Sequence, residues 1–280
     1  MTPRMLLLDA ARRLKEAEIP DPQVDGALLL SHLTGKRPLE LRLDSDTQLD
    51  EETLARFEAL LARREKREPL QYLTGEADFL GRVFYVDARV LIPRPETELL
   101  AEKAVQALKG FDAPRTALDL CCGSGCLGVT LALEAEDASV TLTDLSTDAL
   151  EVAKTNAARL GAKVTFTQGD LFEALQGTQF QVIVSNPPYI PREECDTLQP
   201  EVRREPLMAL AGGADGLDFY RRIAAEAPAH LVPGGEIMLE VGWNQAAQVA
   251  KLLQDAGMTE IRIDPDMQGI PRMVMARKTR

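Results

Sequence analysis

Four consecutive residues, Asn186–Tyr189, carry the most specific chemistry in this sequence. They follow an apolar stretch, residues 180–185, that predicts a strand. Successive prolines lack amide donors and stiffen the chain, so the Pro187 carbonyl is left free to accept a hydrogen bond. The Asn186 side-chain carbonyl can accept another, and the Tyr189 ring can lie against a flat group. The sequence therefore predicts a receptor for a planar NH₂ group, made of Asn186, Pro187, Pro188 and Tyr189, with Asn186, Pro187 and Tyr189 as catalytic residues.

A planar amide or exocyclic amino nitrogen is a poor nucleophile, because its lone pair is delocalised into the neighbouring π system. Two acceptors that hold both N–H groups fix the direction of the lone pair and stabilise the positive charge that grows on nitrogen. Orientation and preorganised electrostatics can then supply the rate without a strong base. The alternative is a proline-rich turn that only closes a strand.

A glycine-rich loop follows an earlier predicted strand. Gly123 and Gly125 allow the backbone to turn sharply and to approach a ligand closely. Asp144 stands at the end of the next predicted strand, where a carboxylate can accept hydrogen bonds from ribose hydroxyls. These residues predict a nucleoside cofactor. Because Gly123, Gly125 and Gly128 also fit the pattern GxGxxG, a nicotinamide dinucleotide stays open at this point.

Cysteines crowd the same loop, which raises the question of a metal site. Zinc usually takes about four thiolate or imidazole ligands, whereas the only histidines, His32 and His230, are distant in sequence. We therefore expect packing by small residues and no metal. The cysteine spacing is not that of a disulfide framework, and no apolar run reaches the length of a membrane helix, so we expect a cytoplasmic protein.

Strands and helices alternate from Thr116 onward, and this alternation must position the residues above. Apolar stretches predict the strands TALDLCC, SVTLTD, KVTFTQ, FQVIVS, GEIMLEV, EIRI and MVMAR. Amphipathic patterns predict helices over residues 126–136, 147–160, 217–231 and 244–256. The fold class is therefore α/β, with a mainly parallel, doubly wound sheet covered by helices on both faces.

The first part of the chain has a helical pattern instead. Thr2 and Asp50 are predicted N-caps of helices, and another helix is predicted to end at Gly35. The stretch FLGRVFYVD alternates around Gly81 and predicts a hairpin. The predicted organisation is a helical domain over residues 1–72, a β-hairpin linker over 73–93 and a catalytic domain over 94–280.

The chain is acidic, with a formal net charge of −12. Proteins that grip a phosphate backbone usually carry a basic surface, so this charge argues against a direct nucleic-acid partner. A local patch for an acidic partner would be best placed in the N-terminal part, at Arg63, Arg64, Lys66 and Arg67. The alternative is a solvated helix end.

These features resemble a known family. The sequence Asn-Pro-Pro-Tyr with an upstream glycine loop resembles the class I S-adenosylmethionine-dependent methyltransferases that act on amide or exocyclic amino nitrogens. A more specific similarity is to the protein-glutamine methyltransferases that modify the Gly-Gly-Gln motif of peptide chain release factors, the HemK/PrmC family. It rests on LTG at 73–75, LIPRPETELL at 91–100, DLCCGSG at 119–125, VSNPPYI at 184–190, EPLMALAGGADGLDFYRRI at 205–223 and LEVGWNQ at 239–245.

The resemblance implies a Rossmann-like fold, S-adenosylmethionine as cofactor and S-adenosylhomocysteine as product. It places Cys121, Cys122, Gly123, Ser124 and Gly125 along the methionine end of the cofactor, Asp144 at its ribose, Leu171 beside its adenine, and Asn186 between cofactor and glutamine. Residues 94–97 would border the same cleft. Two positions depart from the family pattern: Cys121 stands where glycine is usual, and Leu171 where many members have tryptophan.

The implied activity is that of a cytoplasmic protein-(glutamine-N(5)) methyltransferase of translation termination. Its partners would be release factors, recognised by residues 1–72, with no nucleic acid or membrane bound directly and with the protein as a monomer. Three alternatives stay open: a glutamine methyltransferase acting on a ribosomal protein, an adenine-amino methyltransferase acting on nucleic acid, and a nicotinamide dehydrogenase in which the tetrapeptide is an accident.

Overall fold

The computed structural model describes all residues, 1–280, and divides the chain into two compact units. The first comprises Met1–Glu76 together with Gln199–Arg204, and the second comprises Ala77–Leu198 together with Glu205–Arg280. Every residue predicted to bind cofactor or glutamine therefore belongs to the second unit. The recognition role of the helical N-terminal region stays a prediction.

The first unit is helical. Its helices are α1 (Pro3–Glu16), α2 (Pro22–Thr34), α3 (Pro38–Leu43), α4 (Glu51–Glu65) and α5 (Leu70–Thr74). Thr2 caps α1 by accepting the Met5 amide, Asp50 caps α4 by accepting the Thr53 amide at 2.6 Å, and α2 ends at Gly35, so the predicted boundaries are confirmed. The sequence missed α3 and α5, because stretches of six and five residues carry too little periodicity.

A buried ion network lies beside the apolar core of this unit. The Arg64 guanidinium is 5% exposed and donates to Asp25 at 2.6 Å and to Glu201 at 2.9 Å. Arg67 also donates to Glu201, at 2.7 Å, and Arg63 pairs with Glu68. Three of the four cations of the predicted basic patch are therefore paired with carboxylates of the same unit, and the patch stays a prediction.

The second unit opens with the predicted hairpin. Its strands are β1 (Glu76–Phe79, with Glu76 still in the first unit), β2 (Arg82–Tyr85), β3 (Arg115–Leu120), β4 (Ala138–Asp144), β5 (Val164–Gln168), β6 (Phe180–Ser185), β7 (Leu231–Glu240), β8 (Thr259–Pro265) and β9 (Pro271–Arg277). Its α-helices are α6 (Pro95–Lys109), α7 (Cys126–Glu134), α8 (Thr147–Leu160), α9 (Leu207–Leu210), α10 (Asp218–His230) and α11 (Ala246–Asp255). No helix of the chain combines the length and the apolar character that a membrane crossing requires.

Seven strands form one sheet in the order β5-β4-β3-β6-β7-β9-β8. The strands from β3 to β7 pair in parallel, whereas β9 is antiparallel to both β7 and β8. All seven predicted strands are present, and the mainly parallel, doubly wound sheet is confirmed. The antiparallel edge follows because β8 and β9 are joined by a short turn instead of a crossover helix.

Both faces of the sheet are covered. Along β6, Val182 and Val184 pack into one apolar cluster and Ile183 into the other, as the alternation of side chains along a strand requires. The first cluster includes residues of α6, α7 and α8, and the second includes residues of α10 and α11. The sheet is thus covered by helices on both faces beneath the carboxyl ends of its parallel strands.

Candidate active site

The predicted site segments lie at the carboxyl ends of neighbouring strands. Leu120 of β3 pairs with Ser185 of β6, so Cys121 and Asn186 are the next residues of two adjacent strands. The chain steps from β3 outward to β4 and β5 and then returns to β6 on the other side of β3. This reversal of strand order is where doubly wound α/β proteins bind their ligands.

The glycine loop is tied to Asp144 at the end of β4. The Gly123 amide donates to Asp144 Oδ2 at 2.9 Å, and the Ser146 amide donates to Asp144 Oδ1 at 2.9 Å. Burial raises the pKa of Asp144, and both amide donors act to lower it. Gly123 itself has φ of +53°, and the position that a Cβ would take there is open space. The Asp144 carboxylate therefore holds the glycine loop in place, and the space beside Gly123 is open.

Gly128, the third glycine of the GxGxxG pattern, has a packing role. A Cβ at this position would lie 2.6 Å from Leu142 and 2.9 Å from the Cβ of Asp119. The Gly128 amide donates to Asp119 Oδ2 at 2.7 Å, whereas Asp119 Oδ1 has no partner. Burial raises the pKa of Asp119 to about 7. The pattern therefore reflects how closely α7 packs on β3 and β4, and it does not single out a dinucleotide.

A cavity of about 330 Å³ lies at these strand ends. Most of the predicted site residues line it, namely Cys121, Cys122, Gly123, Ser124, Asp144, Leu171, Asn186 and Pro188. Gly125, Pro187 and Tyr189 do not, although each adjoins a lining residue in the chain. The structure also adds wall residues that the sequence did not assign to the site, among them Arg89, Leu145, Met208 and Phe219.

Both positions that depart from the family pattern have left-handed backbone. Cys121 has φ of +62° and Leu171 has φ of +52°. A non-glycine residue in this region costs roughly 1–2 kcal/mol, so the usual glycine at position 121 has a conformational reason. Both side chains line the cavity. Burial raises the pKa of the Cys121 thiol, and also those of Cys122 and Cys126, which keeps them neutral.

The Asn186 side chain is held by a chain of hydrogen bonds. Its Nδ2 donates to Thr97 Oγ1 at 3.3 Å, and Thr97 Oγ1 donates to Glu240 Oε2 at 2.6 Å. Thr97 stands in the first turn of α6 and Glu240 ends β7. Sequence analysis placed Thr97 at the border of the cleft but missed Glu240. A single carboxylate within the apolar stretch IMLEV was the available signal, because isolated buried charges are rare without a partner.

The backbone that follows Asn186 is packed against a second glycine-rich loop. A Cβ on Gly212 would lie 2.7 Å from the Pro188 carbonyl oxygen and 2.8 Å from the Tyr189 Cα. The buried Gln245 donates from Nε2 to the Tyr189 carbonyl at 2.9 Å. No hydrogen bond within the chain uses the Pro187 carbonyl. Gly212 and Gln245 therefore hold the tetrapeptide backbone, and the carbonyl of the buried Pro187 has no partner within the chain.

Arg94 contributes to the cavity wall and is anchored by Glu205. Its guanidinium pairs with Glu205 Oε1, while Glu205 Oε2 accepts the Ile92 amide at 3.0 Å. Glu205 is 5% exposed, and burial raises its pKa. Since Pro206 and Met208 belong to the same wall, Glu205 joins the segment before α6 to the segment that leads into α9.

Comparison with known proteins supports a methyltransferase. Residues 5–75 match the family model described as the PrmC N-terminal domain, and residues 95–200 match the methyltransferase small domain. The structure of a methyltransferase from Pyrococcus furiosus superposes on this chain with a TM-score of 0.55 and 18% sequence identity. The match covers 82% of this chain and 100% of that protein, and it supports the fold. The protein is therefore a class I S-adenosylmethionine-dependent methyltransferase.

Two curated relatives narrow the class. The release factor glutamine methyltransferase of Deinococcus radiodurans is 42% identical over 98% of both chains. That of Geobacter sulfurreducens is 43% identical over 94% of this chain and 92% of its own. The chain belongs to the release factor glutamine methyltransferase family.

The residues at the cavity fit the cofactor of this class. Asp144 presents a carboxylate at the cavity, beside a loop whose Gly123 leaves the space of a side chain open. The Thr143 hydroxyl in the same wall is buried and has no partner within the chain. A nucleoside requires acceptors for its ribose hydroxyls and a backbone that it can approach closely. A buried polar atom without a partner, such as the Thr143 hydroxyl, can be paired by a ligand.

Proposed function

We propose that the protein transfers the methyl group of S-adenosylmethionine to the side-chain amide nitrogen of the glutamine in the Gly-Gly-Gln motif of peptide chain release factors. The observation that carries the proposal is the pairing of Leu120 with Ser185. It sets Asn186 directly beside Cys121, and both residues line one cavity. An amide receptor and a cofactor loop on adjacent strand ends are what a methyl transfer to an amide nitrogen requires.

Two acceptors of this chain hold the glutamine amide in the proposed site. Asn186 Nδ2 donates to Thr97, so its Oδ1 can accept one substrate N–H. The Pro187 carbonyl, which serves no hydrogen bond within the chain, accepts the other. Both acceptors are rigid, because a strand end and a proline pair fix them. They stabilise positive charge on nitrogen as its lone pair is drawn out of conjugation, and the proton then leaves to water.

The cofactor residues act by position. Asp144 accepts the ribose hydroxyls and keeps the glycine loop in place through the Gly123 amide. Leu171 supplies an apolar surface for the adenine. The backbone from Cys121 to Gly125 borders the methionine end. Bound there, S-adenosylmethionine supplies an electrophilic methyl group on a sulfonium.

The helical first unit recognises the release factor in this proposal. It lies outside the set of residues that line the cavity, and residues 5–75 match a domain model of their own. Arg64 and Arg67 are engaged within the unit, so recognition uses surfaces other than the paired cations. The same proposal makes the release factor the direct partner and places the protein in the cytoplasm.

Labelled S-adenosylmethionine tests the proposal. The protein is incubated with purified release factor, ribosomal protein or DNA in separate reactions, and the modified peptide is identified by mass spectrometry. Label is expected on release factor alone, at the glutamine of Gly-Gly-Gln, and a release factor with alanine at that glutamine is the control. Label on the ribosomal protein or on DNA in preference to release factor would replace this substrate with one of the alternatives.

A further inference from the structure

The buried carboxylate of Glu240, to which the proposed mechanism gives no role, is linked to Asn186 through Thr97. Glu240 is 2% exposed, and its Oε2 accepts the Thr97 hydroxyl proton at 2.6 Å. Thr97 is also 2% exposed, and its Oγ1 accepts from Asn186 Nδ2 at 3.3 Å. The Glu240 backbone carbonyl is separately occupied by the Tyr220 hydroxyl at 2.7 Å. The three side chains form a single line from the end of β7 to the cavity.

This line has a fixed direction, because its members differ in what they can donate. An ionised carboxylate only accepts, whereas a hydroxyl has one proton and two lone pairs. When Glu240 is ionised, the Thr97 proton is committed to it, so Thr97 can offer Asn186 only a lone pair. Asn186 must then turn its NH₂ toward Thr97 and its carbonyl oxygen toward the other side.

The direction matters because an asparagine amide has nearly the same shape in either orientation. With the amide reversed, Asn186 would present NH₂ to the NH₂ of the substrate, and two donors would face each other. We propose that Thr97 and Glu240 are positioning residues that set the orientation of the Asn186 amide, so that its carbonyl oxygen faces the substrate nitrogen. This inference rests on the proposed function, and it explains how the donor and acceptor ends of the Asn186 amide are oriented for the substrate.

The surroundings of Glu240 support this assignment. Burial raises the pKa of Glu240 to about 7, although the hydrogen bond from Thr97 acts to lower it, so the ionised, accepting form prevails above neutral pH. The charged or titratable groups that act on it, or on which it acts, are Glu96 and Arg94 at the start of α6, Arg272 of β9, Tyr189, Tyr220 of α10 and Cys126 of α7. The one side-chain hydrogen bond of this buried carboxylate is made with Thr97, which in turn accepts from Asn186. This arrangement suits a residue that orients the Asn186 amide.

Matched substitutions of Thr97 separate orientation from packing. Thr97→Val keeps the shape of the side chain and removes the hydroxyl, Thr97→Ser keeps the hydroxyl, and Glu240→Gln introduces a donor. Thr155→Val, at an exposed helical threonine, is the control. We expect Thr97→Val and Glu240→Gln to slow single-turnover methyl transfer by about tenfold to a hundredfold, and Thr97→Ser to stay within about threefold of the parent. Cofactor affinity measured by calorimetry is expected to change far less than the rate.

A second measurement reads the amide itself and needs no substrate. The chain has only three asparagines, Asn156, Asn186 and Asn244, so protein labelled with ¹⁵N-asparagine gives few side-chain amide signals in NMR spectra. The Asn186 pair is assigned by its loss in Asn186→Ala. We expect Thr97→Val to shift this pair and to speed its hydrogen exchange, and Thr97→Ser to leave it near the parent position.

Two results would overturn the inference: an Asn186 signal that Thr97→Val leaves unchanged, or a Thr97→Ser variant that transfers methyl as slowly as Thr97→Val. A parent protein that fails to methylate release factor would instead count against the proposed function, and the amide signals would still decide the role of Thr97.

Discussion

Gln245 donates a hydrogen bond from its Nε2 to the Tyr189 backbone carbonyl at 2.9 Å. The same side chain also contacts the Gly216 carbonyl at 3.3 Å, and its Oε1 accepts the Gly242 amide at 2.9 Å. Gln245 is 4% exposed, so these contacts are sheltered from water. One glutamine therefore joins the tetrapeptide, the second glycine loop and the turn after β7.

Gln245→Met should loosen this junction while preserving length and burial. It leaves sheltered carbonyls without a donor, which is expected to lower the free energy of unfolding by about 1–3 kcal/mol. Turnover should fall more than cofactor affinity, because the affected backbone carries the amide receptor and not the glycine loop. Denaturant unfolding, calorimetry and single-turnover assays measure the three effects. Gln254→Met, at an exposed position of α11, is the matched control, and equal stability of the two variants would contradict this role.

Asp144→Ala tests the cofactor site. The substitution removes the acceptor proposed for the ribose and also releases the Gly123 amide. We expect cofactor binding to weaken by about 1–3 kcal/mol, the cost of leaving buried polar groups unpaired. Asp148→Ala, at an exposed position of α8, is the control. Calorimetry with S-adenosylhomocysteine gives the two affinities, and an Asp144→Ala affinity equal to that of the control would remove the assigned role.

Much of this site could be predicted because its main residues follow strands of clear periodicity. Asn186 and Asp144 stand at the ends of β6 and β4, and the order of a doubly wound sheet then brings strand ends together. Sequence distance was no obstacle, since the fold class supplies the missing geometry. The predictions of the strands and of the site therefore depended on the same alternation of apolar strands and amphipathic helices.

The supporting contacts could not be predicted in the same way. Glu240 and Thr97 meet across 143 residues, and Gln245 and Tyr189 across 56, through packing between elements that no local period reveals. Gln199–Arg204 belongs to the first unit although it is distant in sequence, and Glu201 of this segment pairs there with Arg64 and Arg67. The left-handed backbone at Cys121 could not be predicted from the residue type, because cysteine seldom adopts a left-handed conformation.

The stability of the protein should fall between pH 4 and pH 7 in part because of Asp119. Burial raises the pKa of this carboxyl from 3.8 to about 7. The folded protein thus keeps a proton that the unfolded chain has already lost in this range, so the free energy of unfolding decreases as the pH rises, by up to about 4 kcal/mol. Asp119→Asn should remove this part of the pH dependence. Urea unfolding at several pH values compares it with the parent and with exposed Asp112→Asn; parallel curves for parent and Asp119→Asn would contradict the assignment.

Arg64→Met should destabilise the first unit strongly. It leaves the Asp25 carboxylate buried without its ion partner, which is expected to cost about 3–5 kcal/mol. The neighbouring Arg63→Met removes an exposed pair and should cost at most about 1 kcal/mol. Adding Asp25→Asn to Arg64→Met should restore part of the loss. Thermal and denaturant unfolding measure these differences, and similar effects of both arginine substitutions would show that the buried network is not structural.

Asn186→Ala tests the amide receptor on which the proposed mechanism depends. It deletes the Oδ1 acceptor with little change to a backbone that Gln245 and Gly212 hold. Loss of one preorganised acceptor should slow turnover by roughly 10²–10³, whereas cofactor affinity should fall less because the Asp144 contacts remain. Tyr189→Phe keeps the ring and should be much milder than Tyr189→Ala. The measurement is single-turnover methyl transfer to release factor, with mass spectrometry of the Gly-Gly-Gln peptide. If Asn186→Ala transfers methyl nearly as fast as the parent, the tetrapeptide is only a turn and the glutamine amide is held elsewhere.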